Sequence, residues 1–366
     1  MGKPDFETAR LTVRLGAIAE NYRRFRAMVS RAAVSGVVKA DSYGLGMAEA
    51  AHTLAIEGCD TFFVARLEEG IALRSLVPPA RIFVLDGAGE DTASALVAHR
   101  LTPVLNSLDE IAAWSAEAGA RNTKLDCAIH LDTGMSRLGL PAGELATLAA
   151  EWRQRLAHLN VVLWMSHLAC GDNAQSAMNA QQRDRFRAAL ARLPPAPASL
   201  AASGGALLGA GYHFDLIRPG IGLYGGNPRS HGENPMRAAA ALTGKILQVR
   251  RIDRGESVGY GATFRAGRPS TLATIGLGYA DGLMRAIGKD GHAAIAGTRI
   301  PFAGRVSMDL ATLDVTDIPN VKVGDEVELF GDTVSLEEFA GNAGTVNYEI
   351  LTRMGTRVPR HYEAAP

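Results

Sequence analysis

A lysine stands at the end of the first strongly apolar segment, in the run Val37-Val38-Lys39-Ala40-Asp41-Ser42-Tyr43-Gly44. A strand buried on both faces is normally apolar throughout, and burying an unpaired ammonium group is costly. Two interpretations of Lys39 are therefore open. It could be a snorkelling or salt-bridged lysine at the rim of a barrel, or a lysine with a lowered pKa that forms a Schiff base.

Other groups that could bind ligands follow at intervals. Arg218 precedes a Pro-Gly pair and could be a rim arginine or a cation facing a ligand. Ser203 begins a Ser-Gly-Gly sequence, which could bind an anion through its amides or form a plain turn. His167, Cys170 and Asp172 have the residue types of zinc ligands, but further ligands are not evident, so no metal site is predicted.

Short apolar runs alternate with alanine-rich helical stretches over residues 1–240. Eight strands alternating with helices predict a (β/α)8 TIM barrel, in which functional groups collect at the carboxyl ends of the strands. A doubly wound sheet is the alternative, but no GxGxxG segment joins a strand to a helix in the first unit. The predicted strands are 35–40, 61–65, 82–85, 102–105, 125–132, 161–166, 199–202 and 215–217.

The pattern changes after about residue 240. Helical periodicity nearly vanishes, and short strands are separated by Gly, Pro and Asp, which predicts an all-β domain over residues 241–366. One short helix is predicted at 335–343. The predicted strands are 242–249, 271–276, 292–295, 298–303, 308–314 and 326–330.

Composition narrows the class of protein. The 366 residues carry 38 Lys and Arg against 38 Asp and Glu, so charge gives no reason to expect nucleic acid or a membrane surface as partner. Three widely spaced cysteines argue against a disulfide framework. No apolar run approaches the roughly 18 residues of a membrane helix, and the first residues are charged. We expect a cytoplasmic protein.

Seven segments resemble, in order, sequence blocks of the alanine racemases, which are pyridoxal phosphate (PLP) enzymes of fold type III with a barrel followed by a β domain. Any one block could occur by chance, but seven in order with a domain change between them make coincidence very improbable. The segments are 38–46, 131–139, 166–170, 218–225, 258–264, 278–282 and 304–309.

The resemblance implies a two-base reaction. Lys39 would carry PLP as a Schiff base and then serve as the acid and base on one face of the substrate. Tyr260, supplied by the other subunit of a homodimer, would serve on the opposite face. His167 and Arg218 would provide the positive field that favours ionisation of this tyrosine.

The resemblance also implies how the cofactor and substrate are bound. Arg218 would donate a hydrogen bond to the pyridine nitrogen. The phosphate would lie on Ser203 and the amides of Gly220 and Ile221, with the hydroxyl of Tyr43 added. The remaining contacts are Arg137, near the phenolic oxygen and the substrate carboxylate, and the amide of Met308, which could also be a plain core methionine.

Three positions depart from the family pattern. His130 stands where many members have a lysine that orients the arginine, so Arg137 would be positioned by a neutral imidazole, a water or a bound anion. Thr356 replaces a tyrosine that gates the site in some members, and Ala202 replaces an asparagine before the phosphate serine. These departures leave the substrate range open.

The predicted function is interconversion of L-alanine and D-alanine, which would supply D-alanine for peptidoglycan precursors or serve catabolism. A broader racemase that acts on serine is the first alternative. A PLP-binding carrier without turnover would lack the second domain and the Tyr260 segment. A fold type III decarboxylase is expected to have an acidic residue in place of Arg218.

Overall fold

The structure is a computed structural model that describes residues 7–288 and 290–364. The charged residues 1–6, on which part of the expected location depends, lie outside the described residues. The chain begins with strand β1 (Ala9–Arg14) and helix α1 (Leu15–Met28). No helix in the described part of the chain is both long and apolar enough to cross a membrane.

A parallel barrel follows, as predicted. Seven strands pair in sequence order, and the eighth pairs with the start of the first. Backbone bonds from Ser35 to Ile217 and from Val37 to Pro219, each 3.0 Å, close the cylinder. The strands are β2 (Ala33–Val34), β3 (Gly36–Val37), β4 (Thr61–Val64), β5 (Arg81–Val84), β6 (Thr102–Leu105), β7 (Leu125–His130), β8 (Leu159–Met165), β9 (Ala198–Ser199) and β10 (Leu216–Ile217).

The barrel strands are apolar because both their faces are covered. All residues of β4 and β6 are buried, which explains why these segments show no alternation of polar and apolar residues. Acidic residues and a capping serine begin the outer helices, as at Ser107, whose Oγ accepts the Glu110 N–H at 3.1 Å. The helices are α2 (Lys39–Gly44), α3 (Met47–Ile56), α4 (Leu67–Leu76), α5 (Glu90–Ala98), α6 (Leu108–Ala120), α7 (Ala142–Arg155), α8 (Ala177–Leu190) and α9 (Ser203–Ala206).

The second domain is rich in strands, as predicted. The long strand β11 is its centre and pairs with β1, β14 and β18. Its elements are β11 (Ala240–Ile252), β12 (Ser257–Val258), β13 (Phe264–Arg265), β14 (Ser270–Ile275), β15 (His292–Ile295), β16 (Thr298–Pro301), β17 (Ala311–Asp314), β18 (Glu326–Phe330), α10 (Leu336–Asn342), α11 (Asn347–Thr352) and β19 (Arg360–Glu363).

The predicted boundary at residue 240 differs from the observed arrangement at one place. Strand β1 lies between β11 and β19 in the sheet of the second domain, although it precedes the barrel in sequence. From β1, in the sheet of the second domain, the chain enters the barrel through α1 and returns to the second domain at β11. Pairing between residues more than two hundred positions apart leaves no local sequence signal.

Candidate active site

A cavity of about 510 Å³ opens at the carboxyl ends of the barrel strands. We call it the barrel cavity. The structure brings all eight residues predicted to contact the cofactor to its wall, although they lie on separate segments of the chain. They are Lys39, Tyr43, Arg137, His167, Ser203, Arg218, Gly220 and Ile221.

Lys39 lies just beyond β3 and is followed by an unusual turn. Residues 40–43, none of them glycine, have φ between 52° and 58°, in the left-handed helical region. Such residues cost roughly 1–2 kcal/mol each, so this turn persists only because surrounding contacts hold it. Lys39, directly before this turn, lines the barrel cavity.

The electrostatic surroundings lower the pKa of the Lys39 amine. Burial lowers its pKa most, the cation of Arg137 lowers it further, and Glu69 and Asp86 act in the opposite direction. A larger neutral fraction makes the amine a better nucleophile and proton acceptor. Lys39 lines the barrel cavity, and no ion pair with a carboxylate holds it in the part of the chain that the structure describes, which favours the interpretation as a Schiff-base lysine.

Arg218 is a buried cation held by residues at the ends of β8 and β9. Its guanidinium donates to the Oγ of Ser199, to the Ser166 carbonyl at 2.7 Å and to Nδ1 of His167 at 3.4 Å. Burial lowers its pKa to about 10, so it remains protonated at neutral pH. These bonds fix a permanent hydrogen-bond donor at the wall of the barrel cavity.

His167 does not contribute the positive charge that we expected from it. Its Nδ1 accepts a hydrogen bond from Arg218, which leaves the proton on Nε2. Burial, together with Arg218 and other nearby cations, lowers the pKa of His167 to about 3. The imidazole is neutral, so of this pair Arg218 alone carries a positive charge.

Ser203 and Gly220 form a compact cradle. The Ser203 Oγ accepts the N–H groups of Gly220 at 2.8 Å and Gly222 at 3.2 Å. A Cβ on Gly220 would lie 2.2 Å from the hydroxyl of Tyr43, so only glycine allows this approach. The hydroxyls of Ser203 and Tyr43 and the backbone N–H groups beside the cavity suit a phosphate group, and with Lys39 and Arg218 they fit the predicted cofactor. The Gly220 N–H would have to turn from Ser203 to the phosphate to join them.

Arg137 lies on a loop that a single carboxylate organises. The Oδ1 of Asp132 accepts the N–H groups of Gly134, Met135 and Ser136 at 2.9, 2.9 and 3.1 Å. Burial would raise the pKa of Asp132, but these backbone donors prevail and lower it. The carboxylate therefore stays ionised and holds the loop that presents Arg137 to the barrel cavity.

His130, which stands where many family members have a lysine, is a neutral imidazole bonded to Asn106. Its Nδ1 lies 3.0 Å from Oδ1 of Asn106, whose amide group donates to the carbonyls of Leu85 and Val104. The Asn106 oxygen is thus an acceptor, and His130 carries its proton on Nδ1. Burial and Arg218 lower the pKa of His130 to about 4. Sequence reasoning missed Asn106, which has no signal beyond its place at the end of β6.

The neutral state of His130 predicts acid sensitivity. The unfolded chain binds a proton near pH 6.5 and the folded chain only near pH 4, so stability rises with pH between these values and falls on acidification. Between pH 6.5 and 4.5 this group contributes a loss of about 2 kcal/mol, or a few degrees in the midpoint of thermal unfolding. His130→Gln should reduce the fall in midpoint, measured by circular dichroism.

The exposed His52 provides the control, because His52→Gln should leave the fall in midpoint as in the wild type. Equal acid sensitivity in the wild type and in His130→Gln would contradict the neutral assignment of His130.

Tyr260 and Met308 do not join the other predicted residues. Their side chains are 71% and 54% exposed, and neither lines the barrel cavity of its own chain. Tyr260 begins a short 3-10 turn, Tyr260–Ala262. Met308 lies on a loop, and its carbonyl accepts the Ala280 N–H at 2.9 Å. Because its side chain is exposed, it is not the core methionine of the alternative interpretation.

Of the two remaining positions that depart from the family pattern, one lines the barrel cavity and one does not. Ala202 lines the barrel cavity, whereas Thr356 is exposed and does not. Tyr348 and Thr352 of α11 also line the cavity, and neither was predicted from the sequence. In residues 7–288 and 290–364, no group of three or more His, Cys, Asp or Glu side chains could hold a metal ion.

Comparisons with known proteins agree with this architecture. The family model "Alanine racemase, N-terminal domain" matches residues 13–228, and "Alanine racemase, C-terminal domain" matches residues 239–362. The chain is 48% identical to an alanine racemase of Rhodospirillum rubrum over 366 residues, covering 99% of this chain and 98% of the relative. It is 46% identical to a catabolic alanine racemase of Mesorhizobium japonicum, covering 96% of this chain and 92% of the relative.

Solved structures give the same result. Alanine racemase from Bartonella henselae, described with covalently bound pyridoxal phosphate, has a TM-score of 0.94 at 38% identity, covering 98% of this chain and 100% of that chain. Biosynthetic alanine racemase from Pseudomonas aeruginosa has a TM-score of 0.92 at 34% identity with the same coverage. Two matched domains and full-length relatives establish that the chain belongs to the alanine racemase family.

Proposed function

We propose that this chain interconverts L-alanine and D-alanine with PLP as its cofactor. The observation that carries the proposal is the barrel cavity. It joins an amine with a lowered pKa, a permanently protonated arginine and a cradle of hydroxyls and amides. Family membership supplies the substrate, and the arrangement of the side chains supports the chemistry.

The cofactor would be held at three points. Lys39 would bind its aldehyde carbon, Arg218 would donate to its ring nitrogen, and the cradle of Ser203, Gly220 and Ile221 with Tyr43 would bind its phosphate. His167 would lie beside the ring. When bound, PLP supplies an electron-withdrawing system that makes the α-hydrogen of an amino acid acidic.

Lys39 and Tyr260 would move the proton at the α-carbon from opposite faces. Lys39 removes or returns it on one face, and Tyr260 of a second subunit does so on the other. The exposure of Tyr260 and Met308 away from their own cavity supports this assignment, since it leaves these groups available to the cavity of a second chain. The protein would therefore be a homodimer with shared sites.

Two further groups would orient the substrate. Arg137 would bind the substrate carboxylate, with the Met308 amide of the second subunit as an added donor. Arg218 would favour return of the proton, because its donated hydrogen bond leaves the ring nitrogen unprotonated. PLP held in this way would be a weaker electron sink, which would favour racemisation over transamination.

The cellular role is part of the proposal. We infer a cytoplasmic enzyme that supplies D-alanine for peptidoglycan precursors. The relatives include alanine racemases named as biosynthetic and as catabolic. Because the proposed reaction is reversible, its chemistry is compatible with either role. Small-molecule amino acids, rather than nucleic acid or membrane, would be its partners.

A racemisation assay across small amino acids tests the proposal. Purified protein with added PLP should convert L-alanine to D-alanine, with kcat/KM for serine lower by about tenfold or more. Chiral chromatography of the products provides the measurement. Equal or faster conversion of serine would favour the broad-range alternative, and no conversion of alanine would contradict the proposed function.

A further inference from the structure

Glu69 stands in the first turn of α4 and has one conventional task. Its Oε2 accepts the N–H groups of Ala65 at 2.8 Å and Arg66 at 3.1 Å, which completes the capping box of this helix. Capping accounts for this oxygen alone.

The second oxygen reaches out of the helix. Oε1 of Glu69 accepts the N–H of Ala40 at 2.6 Å. Ala40 directly follows Lys39 and is the first of the four left-handed residues. One carboxylate therefore connects the amino end of α4 to the backbone that carries the lysine.

Other contacts fix the far end of the same turn. The Asp41 carboxylate accepts the Met47 N–H at 2.7 Å, and the Arg360 guanidinium donates to the Gly44 carbonyl at 3.0 Å. At the near end, Glu69 holds the Ala40 N–H directly after Lys39. On the strand before Lys39, the Tyr224 hydroxyl donates to the Val37 carbonyl at 2.8 Å. The direction of the Lys39 side chain depends on this end, because the backbone torsions of residues 39 and 40 set it.

We propose that Glu69 is a positioning residue for Lys39, which anchors the left-handed turn so that the amine points into the barrel cavity. The inference rests on the proposed function, since it concerns the base of that reaction. It assigns Glu69 a role through Lys39 and not through contact with substrate.

Only a carboxylate can accept hydrogen bonds both from Ala40 and from the start of α4. All three neighbours, at Ala40, Ala65 and Arg66, are N–H donors, so an amide would have to face one side with its own NH₂ group. Glu69→Gln should keep its oxygen on the two donors of the helix and lose the Ala40 anchor. It also removes a negative charge that faces Lys39, where Asp86 and Arg137 are the other charged neighbours.

Glu144 provides a matched control. It lies in the first turn of α7 and accepts the Leu108 N–H of a neighbouring segment at 2.8 Å, but that segment does not line the barrel cavity. Glu69→Gln and Glu144→Gln thus make the same chemical change at two similar helix starts, one of them joined to Lys39.

The test combines kinetics with labelling of the full-length chain. For Glu69→Gln, kcat for alanine should fall by about tenfold with KM changed by less than about twofold, because the base is misplaced while substrate binding is kept. Before PLP is added, Lys39 should react with acetic anhydride with a pH midpoint lower than in the wild type. Mass spectrometry gives the labelling, with the exposed Lys124 as internal reference.

Glu144→Gln should match the wild type in both measurements. If Glu69→Gln also matched the wild type, or changed only the thermal midpoint, Glu69 would be a helix cap and the proposal would be wrong. Glu69→Asp adds a second variant, which keeps the charge and caps α4 but is too short to reach both sides. It should lower kcat like Gln, and wild-type kcat would overturn the proposal.

The labelling measurement separates this inference from the proposed function. A chain without racemase activity would contradict the function, while a shifted Lys39 midpoint in Glu69→Gln would still report the link between the two residues.

Discussion

Lys39→Ala is expected to lower kcat for alanine racemisation by at least about a thousandfold, the upper part of the range for losing a general acid or base. The variant loses both the covalent attachment point of PLP and the base on one face of the substrate. Polarimetry or a coupled assay for D-alanine measures the loss.

The fold should survive this substitution, because the Lys39 side chain enters a cavity and does not fill the core. Removal of a partly buried amine should change the thermal midpoint only slightly. Lys124→Ala is the matched control on the exposed surface and should retain full activity. Undiminished turnover in Lys39→Ala would remove the lysine from the mechanism.

Tyr260→Phe is expected to lower the rate of racemisation by a factor of about a hundred to a thousand. Proton removal and return on the Lys39 face should be kept. Without its hydroxyl, the opposite face of the substrate has no group to give or take a proton. Lys39 can still remove and return the α-hydrogen on its own face.

The decisive measurement is α-hydrogen exchange in deuterium oxide, followed by proton NMR. One enantiomer of alanine should exchange without inversion, and the other should not. Tyr212→Phe, at a half-buried tyrosine stacked on Arg183, should behave as the wild type. If both enantiomers exchanged at wild-type rates in Tyr260→Phe, a different group would be the second base.

Much of the barrel could be predicted because its signal is local. Buried parallel strands such as β4 and β6 are short apolar runs, and an outer helix such as α6 begins with acidic residues and a capping serine. These strands can therefore be predicted from the types of a few consecutive residues.

Features that depend on distant pairing were missed. Strand β1 joins the sheet of the second domain through a partner more than two hundred residues away. The left-handed turn after Lys39 is equally invisible, since Ala, Ser and Tyr disfavour positive φ and the tolerance of a single Asp does not predict four such residues in a row.

The candidate site shows the same division. Residue types and family resemblance identified the side chains of the barrel cavity, but not the protonation states that burial imposes on His130 and His167. Nor could they identify Asn106 and Glu69, which act on other residues through single hydrogen bonds. Positioning residues carry no motif because their role depends on one distance.

The central claim is that one active site takes Lys39 from one subunit and Tyr260 from another. Mixing inactive Lys39→Ala protein with inactive Tyr260→Phe protein, after dissociation and reassociation, tests it directly. With random pairing, half of the dimers are hybrids, and each hybrid has one intact site of two. Racemase activity should therefore return to about a quarter of the wild-type value. A mixture that stays inactive, although hybrid dimers are detected by native mass spectrometry, would contradict the shared site.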